Sequence, residues 1–159
     1  MFDSKSLRSV MHDLGSSDEE FITALDRFIR FSINIINNTE ELREEIEDLD
    51  DMYQISLVDI NFHFLFKLSN GSIVYKKGLN RDASFRVRYT KDIFVKVLKR
   101  EMLGTEAFMK GKVKVDGDLT QGLRFIKLFR IYIKYIKKDV YFISRKKFED
   151  CFLLTFCCN

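Results

Sequence analysis

A strict alternation of apolar and polar residues between positions 60 and 68 constrains the fold more than any other feature of this sequence. The apolar positions are Ile60, Phe62, Phe64, Phe66 and Leu68. A period of two with one apolar face predicts a β-strand that is buried on one side. The Asn70–Gly71 pair fits the two positive φ angles of a tight hairpin, so "SIVYKK" is predicted to return as the second strand.

Two later stretches predict further strands. In "SFRVRY", Phe85, Val87 and Tyr89 alternate with two arginines, and in "KVKVD", Val113 and Val115 alternate with charged residues. Both stretches therefore have one apolar face and one charged face. We expect all these strands to share one sheet whose apolar face is covered.

Cap residues and apolar spacing predict four helices. Their ranges are 18–37, 40–51, 91–103 and about 119–138. Ser17 and Glu20 form the capping-box pattern of the first helix. Thr39, Thr90 and Asp118 are the predicted N-caps of the others, and Gly104 is the predicted end of the third. Strands covered by helices on one face indicate an α+β fold. The predicted organisation is a lead-in at 1–16, a single domain at 17–138 and a C-terminal extension at 139–159.

Charge is distributed unevenly along the 159 residues. Positions 1–59 carry 5 basic and 15 acidic side chains, whereas positions 60–159 carry 22 and 9. Such halves either compensate one another in the fold or present a basic face to an anionic partner. All three cysteines fall within the last nine residues, and an odd count without a signal peptide predicts a reducing, cytoplasmic location. No run approaches the roughly 18 apolar residues of a membrane span.

Catalytic and metal-binding patterns are not found in the sequence. His12 and His63 are the only histidines, and neither has the spacing of a metal ligand or a general base. Asp116 and Asp118 resemble a carboxylate pair, but a strand end and a helix cap account for both. We therefore predict a protein that is not an enzyme and that uses no metal or cofactor.

The predicted last helix has an unusually wide apolar face, covering roughly half of its circumference. The periodicity alone favours a core helix packed between two walls over one wall of an apolar cavity, although both give the same pattern. The opposite face is basic and allows three interpretations: a solvated surface, a site that docks on anionic membranes, or a nucleic-acid site. The last is disfavoured because the aromatic residues lie away from the charges. The candidate membrane-docking residues are Arg124, Lys127, Arg130, Lys134 and Lys137.

The segment from Lys91 to Phe129 resembles the sterol carrier protein 2 (SCP-2) family of lipid-transfer domains. The matching pattern comprises Ala83, Gly104, Ala107–Phe108, Gly111–Lys112, Val113, Lys114, Val115, Gly117, Leu119 and Leu123–Arg124. The order of the preceding strands and their hairpin also agrees, so the resemblance covers about residues 40–130. Ile126 stands where some animal members have glutamine, and Ser84 stands where the family often has aspartate.

This resemblance implies an antiparallel-dominated five-stranded sheet with helices on one face and an apolar tunnel between the layers. It also implies non-covalent binding of a fatty acid, acyl-CoA, sterol or phospholipid. The candidate lipid-binding residues are Phe62, Phe64, Phe66, Phe85, Val87, Phe94, Val97, Leu98, Met102, Phe108, Met109, Val113, Val115, Phe125, Ile126, Phe129 and Ile133.

The leading hypothesis is an intracellular, non-catalytic lipid-binding or lipid-transfer protein that makes transient contact with anionic membranes and does not bind nucleic acid. The alternative is an interaction or dimerisation module without a ligand, or an accessory protein that presents lipid intermediates to a biosynthetic enzyme.

Overall fold

The computed structural model describes residues 17–131. Within this range the elements in chain order are α1 Asp18–Asn38, α2 Glu40–Glu45, β1 Met52–Leu57, β2 Phe62–Ser69, β3 Ser72–Lys77, β4 Phe85–Tyr89, α3 Lys91–Leu98, α4 Gly104–Met109, β5 Lys114–Asp116 and α5 at 119–131. The predicted α+β class with a five-stranded sheet is confirmed. The predicted lead-in, the C-terminal extension and the end of the last helix lie outside the described residues.

The sheet is mixed, with strand order β3-β2-β1-β4-β5. The central pairing of β1 with β4 is parallel, and the other three pairings are antiparallel. Strand β1 is not among the strands predicted from the sequence. From Tyr53 to Leu57 every residue of β1 is buried, because both faces of this central strand are covered. The predicted hairpin is confirmed, with positive φ at Asn70 and Gly71.

The connection from β3 to β4 must pass two intervening strands, and Gln54 on the outer face of β1 holds it in place. The Gln54 side chain donates to the carbonyl oxygens of Phe64 and Gly78, at 2.9 and 3.1 Å, and accepts from the Asn80 amide at 2.8 Å. Gln54 is buried, so these bonds meet the requirement that a buried amide be hydrogen-bonded. The outer face of the sheet is thereby partly covered by its own crossover loop.

Helix α1 packs along the edge strand β3. The Asn37 side chain donates to the Ile73 carbonyl oxygen and accepts from the Ile73 amide, each at 2.9 Å, so it pairs with the strand edge as a neighbouring strand would. About three turns nearer the start of the helix, Asp26 accepts from the Tyr75 hydroxyl at 2.8 Å and lies 3.2 Å from the Lys77 ammonium. These contacts protect an edge that would otherwise be open to pairing with other chains.

The predicted starts of all four helices are confirmed, and two of the predicted ends are wrong. The Ser17–Glu20 capping box is present, and Asp118 accepts from the Thr120 amide at 2.5 Å at the start of α5. Helix α2 ends at Glu45 rather than near 51, and α3 ends at Leu98 rather than 103. Gly104, the predicted end of α3, instead begins the separate helix α4.

Two predicted caps also differ from the structure. The Thr39 hydroxyl donates back to the Ile35 carbonyl oxygen at 2.7 Å, so it bonds α1 rather than capping α2. Thr90 makes no side-chain cap, and the Asp59 carboxylate caps α3 by accepting from the Lys91 amide at 2.8 Å. An anion from a distant loop therefore replaces the expected local cap, and it also interacts favourably with the helix dipole.

Candidate functional site

Aromatic rings cover the inner face of the sheet beneath the helices. Phe64 lies at the centre, with its ring centroid 5.5 Å from those of Phe62 and Phe66 and 6.4 Å from that of Phe94 on α3. A second group of rings joins Tyr53, Phe85 and Phe125 at 5.1–5.9 Å. These spacings are those of aromatic rings in direct contact, so much of the predicted tunnel wall is packed core in this structure.

An ion pair attaches the first turns of α5 to the sheet. The Arg124 guanidinium donates from Nε and one terminal nitrogen to the two carboxylate oxygens of Asp51, each at 2.7 Å. The Tyr53 hydroxyl donates to the same carboxylate at 2.9 Å. The Asp51 side chain is 3% exposed, so its charge depends on these donors for the solvation that water would otherwise provide.

This hydrogen-bond network changes the pKa values of Asp51 and Tyr53 in opposite directions. Hydrogen bonds from Arg124 outweigh burial and lower the pKa of Asp51. Burial, followed by the hydrogen bond to that carboxylate, raises the pKa of Tyr53. Both shifts keep Asp51 ionised and Tyr53 protonated, which preserves the donor and acceptor roles that hold α5 in position.

A pocket of about 410 Å³ opens between α2, α4 and α5. Its lining residues are Glu45, Thr105, Leu123, Ile126, Lys127, Arg130 and Ile131. Leu123 is 61% exposed and Ile131 is buried, so the pocket extends from the surface towards the core. Its volume falls within the range of about 300–1,000 Å³ typical of small-molecule sites. Apolar side chains on one helix, with cations beside them, suit a ligand that has an apolar chain and an anionic group.

The sequence model of the SCP-2 sterol transfer family matches residues 33–130, which include the whole sheet, α2 to α4 and most of α5. The chain belongs to this family. No curated protein sequence matches the chain. The fold and the family thus agree over the same part of the chain, and the predicted resemblance is confirmed.

Solved structures show the same SCP-2 fold. A double mutant of the sec-alkyl sulfatase PisA1 aligns with a TM-score of 0.56 at 23% identity, over 65% of this chain, but the chain spans only 16% of that protein. Sterol carrier protein 2 from Yarrowia lipolytica, in its apo form, aligns at 0.55 and 16% identity over 69% of this chain and 89% of that one. The ubiquinone synthesis protein UbiJ-SCP2 aligns at 0.54 and 16% identity over 70% and 98%.

The predicted lipid-binding residues of this SCP-2 domain fall into distinct places. The buried group in the core is Phe62, Phe64, Phe85, Val87 and Val113. Those partly buried against the core are Phe66, Phe94, Val97, Leu98, Met102, Val115 and Phe125. Ile126 lines the pocket, Phe129 is partly buried, and Ile133 lies outside the described residues. Phe108 and Met109 are exposed and are not among the residues that line the pocket, so their role as lipid contacts stays a prediction.

The predicted membrane-docking residues separate in the same way. Arg124 is paired with Asp51, and this ion pair attaches α5 to the sheet. Lys127 and Arg130 are exposed and line the pocket. Lys134 and Lys137 lie outside the described residues. Two of the five basic positions are therefore placed where a ligand or a headgroup can meet them.

Four lining residues are not among the site residues predicted from the sequence: Glu45, Thr105, Leu123 and Ile131. Leu123 and Ile131 lie three residues before and five after Ile126, and the helical spacing of 123, 127, 130 and 131 was available in the sequence. Thr105 could not be found because α4 was not predicted. Glu45 could not be found because nothing in its local pattern shows that α2 faces α5.

Neither a membrane span nor a metal site appears in the described part of the molecule. No helix within residues 17–131 is long and apolar enough to cross a membrane. In the same range, no group of three His, Cys, Asp or Glu side chains is arranged to hold a metal ion.

Proposed function

We propose that this SCP-2 domain binds one lipid non-covalently in the pocket between α2, α4 and α5, and that it acts as a carrier rather than an enzyme. The observation that carries this proposal is the placement of Leu123, Ile126 and Ile131 along one side of that pocket. Burying an acyl chain against such residues contributes about 0.8 kcal/mol per methylene group. A ligand with several buried methylenes therefore binds without any covalent step.

The charges at the pocket favour an anionic lipid, of which a fatty acid is the simplest. Lys127 and Arg130 line the pocket beside the apolar residues, with Glu45 as the one acidic lining residue. A carboxylate at the rim gains a charge-assisted hydrogen bond from either cation. Ile126 offers no hydrogen bond to a sterol hydroxyl, so we place fatty acids and acyl-CoA ahead of sterols.

A substitution that blocks the mouth of the pocket tests whether a lipid binds there. Leu123→Trp places a large side chain at the mouth, where the leucine is mostly exposed and the fold tolerates the change. We expect wild-type protein to take up a fluorescent fatty acid and the variant to bind at least tenfold more weakly. Val74→Trp, at an exposed position on the outer face of the sheet, is the matched control and keeps wild-type affinity. Uptake that is absent in the wild type, or equal in Leu123→Trp, contradicts the proposal.

The contact between the aromatic rings supports a second candidate function. Phe62, Phe64 and Phe85 pack on other rings between the sheet and the helices, as in a core without a ligand. A domain of this kind also suits an interaction module without a ligand, or an accessory protein that presents lipid intermediates to a biosynthetic enzyme. UbiJ-SCP2, which shares the fold, is named as a ubiquinone synthesis protein. The same uptake experiment separates the candidates, since this module takes up no fatty acid in either form.

A further inference from the structure

Four large apolar side chains on α4 and the first half of α5 are exposed. Phe108 and Met109 on α4 are 53% and 85% exposed, and Leu119 and Leu123 on α5 are 77% and 61% exposed. Single exposed apolar residues need no explanation, but adjacent ones mark an interaction surface. The first question is therefore whether these four residues share one face.

The lining of the pocket indicates that these four residues lie on the side of α4 and α5 that faces the pocket. Thr105 lines the pocket, and Phe108 and Met109 follow it by three and four residues, so they project from the same side of α4. Leu123 lines the pocket, and Leu119 precedes it by four residues on the same side of α5. We call these four residues the apolar rim, because they flank the mouth of the pocket on two helices.

Cations accompany the apolar rim. Lys127 and Arg130 continue the line of Leu119 and Leu123 along α5, and Lys112 is exposed three residues beyond Met109. Lys110 on α4 is paired with Glu106 at 2.5 Å, so its charge is compensated. The opposing negative charges are Glu45 at the pocket, Asp116 at the end of β5, Asp118 at the start of α5, and the acidic side chains of α2. Of these, Asp116 is paired with Arg88.

We propose that the apolar rim docks onto the surface of an anionic lipid bilayer, with the mouth of the pocket facing the membrane. The proposal deepens the function proposed above and rests on it, because docking here lets a lipid enter the pocket directly. Exposed apolar groups enter the interfacial region while nearby lysine and arginine side chains meet anionic headgroups. The acidic helix α2 is repelled by the same headgroups, so the molecule tilts towards its α4 and α5 side.

The charges favour a bilayer over a second copy of this chain. In a two-fold symmetric pair the same surface of each copy faces the other, which brings Lys112, Lys127 and Arg130 of both copies to one interface. Like charges brought together at an interface oppose association. An anionic bilayer has the complementary sign over its whole area.

Vesicle co-sedimentation tests this docking surface. The probe is a vesicle of phosphatidylcholine with or without phosphatidylserine. We expect wild-type protein to bind the phosphatidylserine vesicles more tightly, and Met109→Glu with Leu119→Glu to reduce that binding by roughly tenfold or more. Leu79→Glu is the matched control, since Leu79 is 70% exposed in the crossover loop on the outer face of the sheet, and it keeps wild-type binding.

Charge reversal provides the second pair of variants. Lys127→Glu weakens vesicle binding by roughly tenfold, whereas Lys76→Glu, on the outer face of the sheet, leaves it unchanged. Circular dichroism checks that all variants are folded. Equal binding by the rim variants and their controls overturns the proposal. Loss of dimers in the Met109→Glu and Leu119→Glu variant, without loss of vesicle binding, also overturns it in favour of a second copy.

Uptake of a fatty acid in the absence of vesicles separates this proposal from the function on which it rests. The Met109→Glu and Leu119→Glu variant keeps its affinity for dissolved fluorescent fatty acid and loses only the transfer of that fatty acid from vesicles. If wild-type protein binds anionic vesicles through the apolar rim but takes up no fatty acid, the proposed carrier function fails and the docking surface stands. If uptake is normal and vesicle binding does not depend on the rim, the docking surface fails alone.

Discussion

Asp51 is the residue on which the position of α5 depends most directly. Its carboxylate is buried and accepts from Arg124 and Tyr53, so it links the start of β1 to the helix that lines the pocket. We expect Asp51→Asn to lower the free energy of unfolding by about 1–3 kcal/mol, because it removes a charged acceptor from these donors. Urea denaturation measures the change. Asp50→Asn, at the adjacent exposed position, is the control and alters stability by less than about 0.5 kcal/mol.

The same residue gives stability a dependence on pH. The pKa of Asp51 is lower in the folded state than the value near 3.9 of an unfolded aspartate. A lowered folded pKa stabilises the protein above the unfolded value, and this stabilisation is lost as the pH falls through the folded pKa. We therefore expect the gap in unfolding free energy between wild type and Asp51→Asn to narrow below about pH 4. A gap that stays constant down to pH 2 would contradict the role assigned to the ion pair.

At the scale of the elements, the contact between α1 and β3 gives the sheet a protected edge. The Asn37 side chain bonds both the amide and the carbonyl oxygen of Ile73. Within residues 17–131, no other group outside the sheet is described as bonding these two backbone groups. We expect Asn37→Ala to expose the Ile73 amide and to speed its hydrogen exchange at least tenfold, with a loss of about 1 kcal/mol in stability. Amide exchange followed by NMR measures this, with Asn38→Ala as the control because Asn38 bonds only within α1. Unchanged protection at Ile73 would show that the edge is closed by something else.

The elements also show which sequence patterns were sufficient to predict a strand or a helix. The apolar alternation of β2 and β4 predicted both strands, because each has one covered and one open face. Strand β1 was not predicted because Gln54 and Ser56 on its outer face are polar and suggest exposure to solvent. Both are buried in the structure, and Gln54 bonds the crossover loop. The Asp59 cap of α3 comes from 32 residues away, so no local pattern reveals it.

The division of charge between the two halves of the sequence becomes a surface feature of the folded molecule. Helix α2 and the turn after it carry exposed Glu40, Glu41, Glu44, Glu47 and Asp48. They lie on one side of the pocket, and the basic face of α5 lies on the other, with Glu45 and Lys127 both lining the space between. The asymmetry was visible in the sequence, but its relation to a pocket depends on the positions of α2 and α5 in the fold.

The candidate site was predictable only in part for a related reason. Periodicity identified Phe125 and Ile126 on the apolar face of α5, but an apolar residue that packs on a ring and one that lines a cavity have the same pattern. Phe125 contacts Tyr53 and Phe85, whereas Ile126, one residue later, lines the pocket. Neighbouring residues on a helix point in different directions, so one can face the core and the next can face the pocket. Only the positions of α2 and α4 decide which of the two residues faces the pocket.

The central claim is that a lipid occupies the pocket between α2, α4 and α5. Intermolecular nuclear Overhauser effects between a bound fatty acid and the methyl groups of methyl-labelled protein test it most directly. The account predicts contacts from the acyl chain to Leu123, Ile126 and Ile131, and none to Ile73 at the far edge of the sheet. A fatty acid that contacts Ile73 but not Ile126, or that gives no intermolecular contacts at saturating concentration, would contradict it.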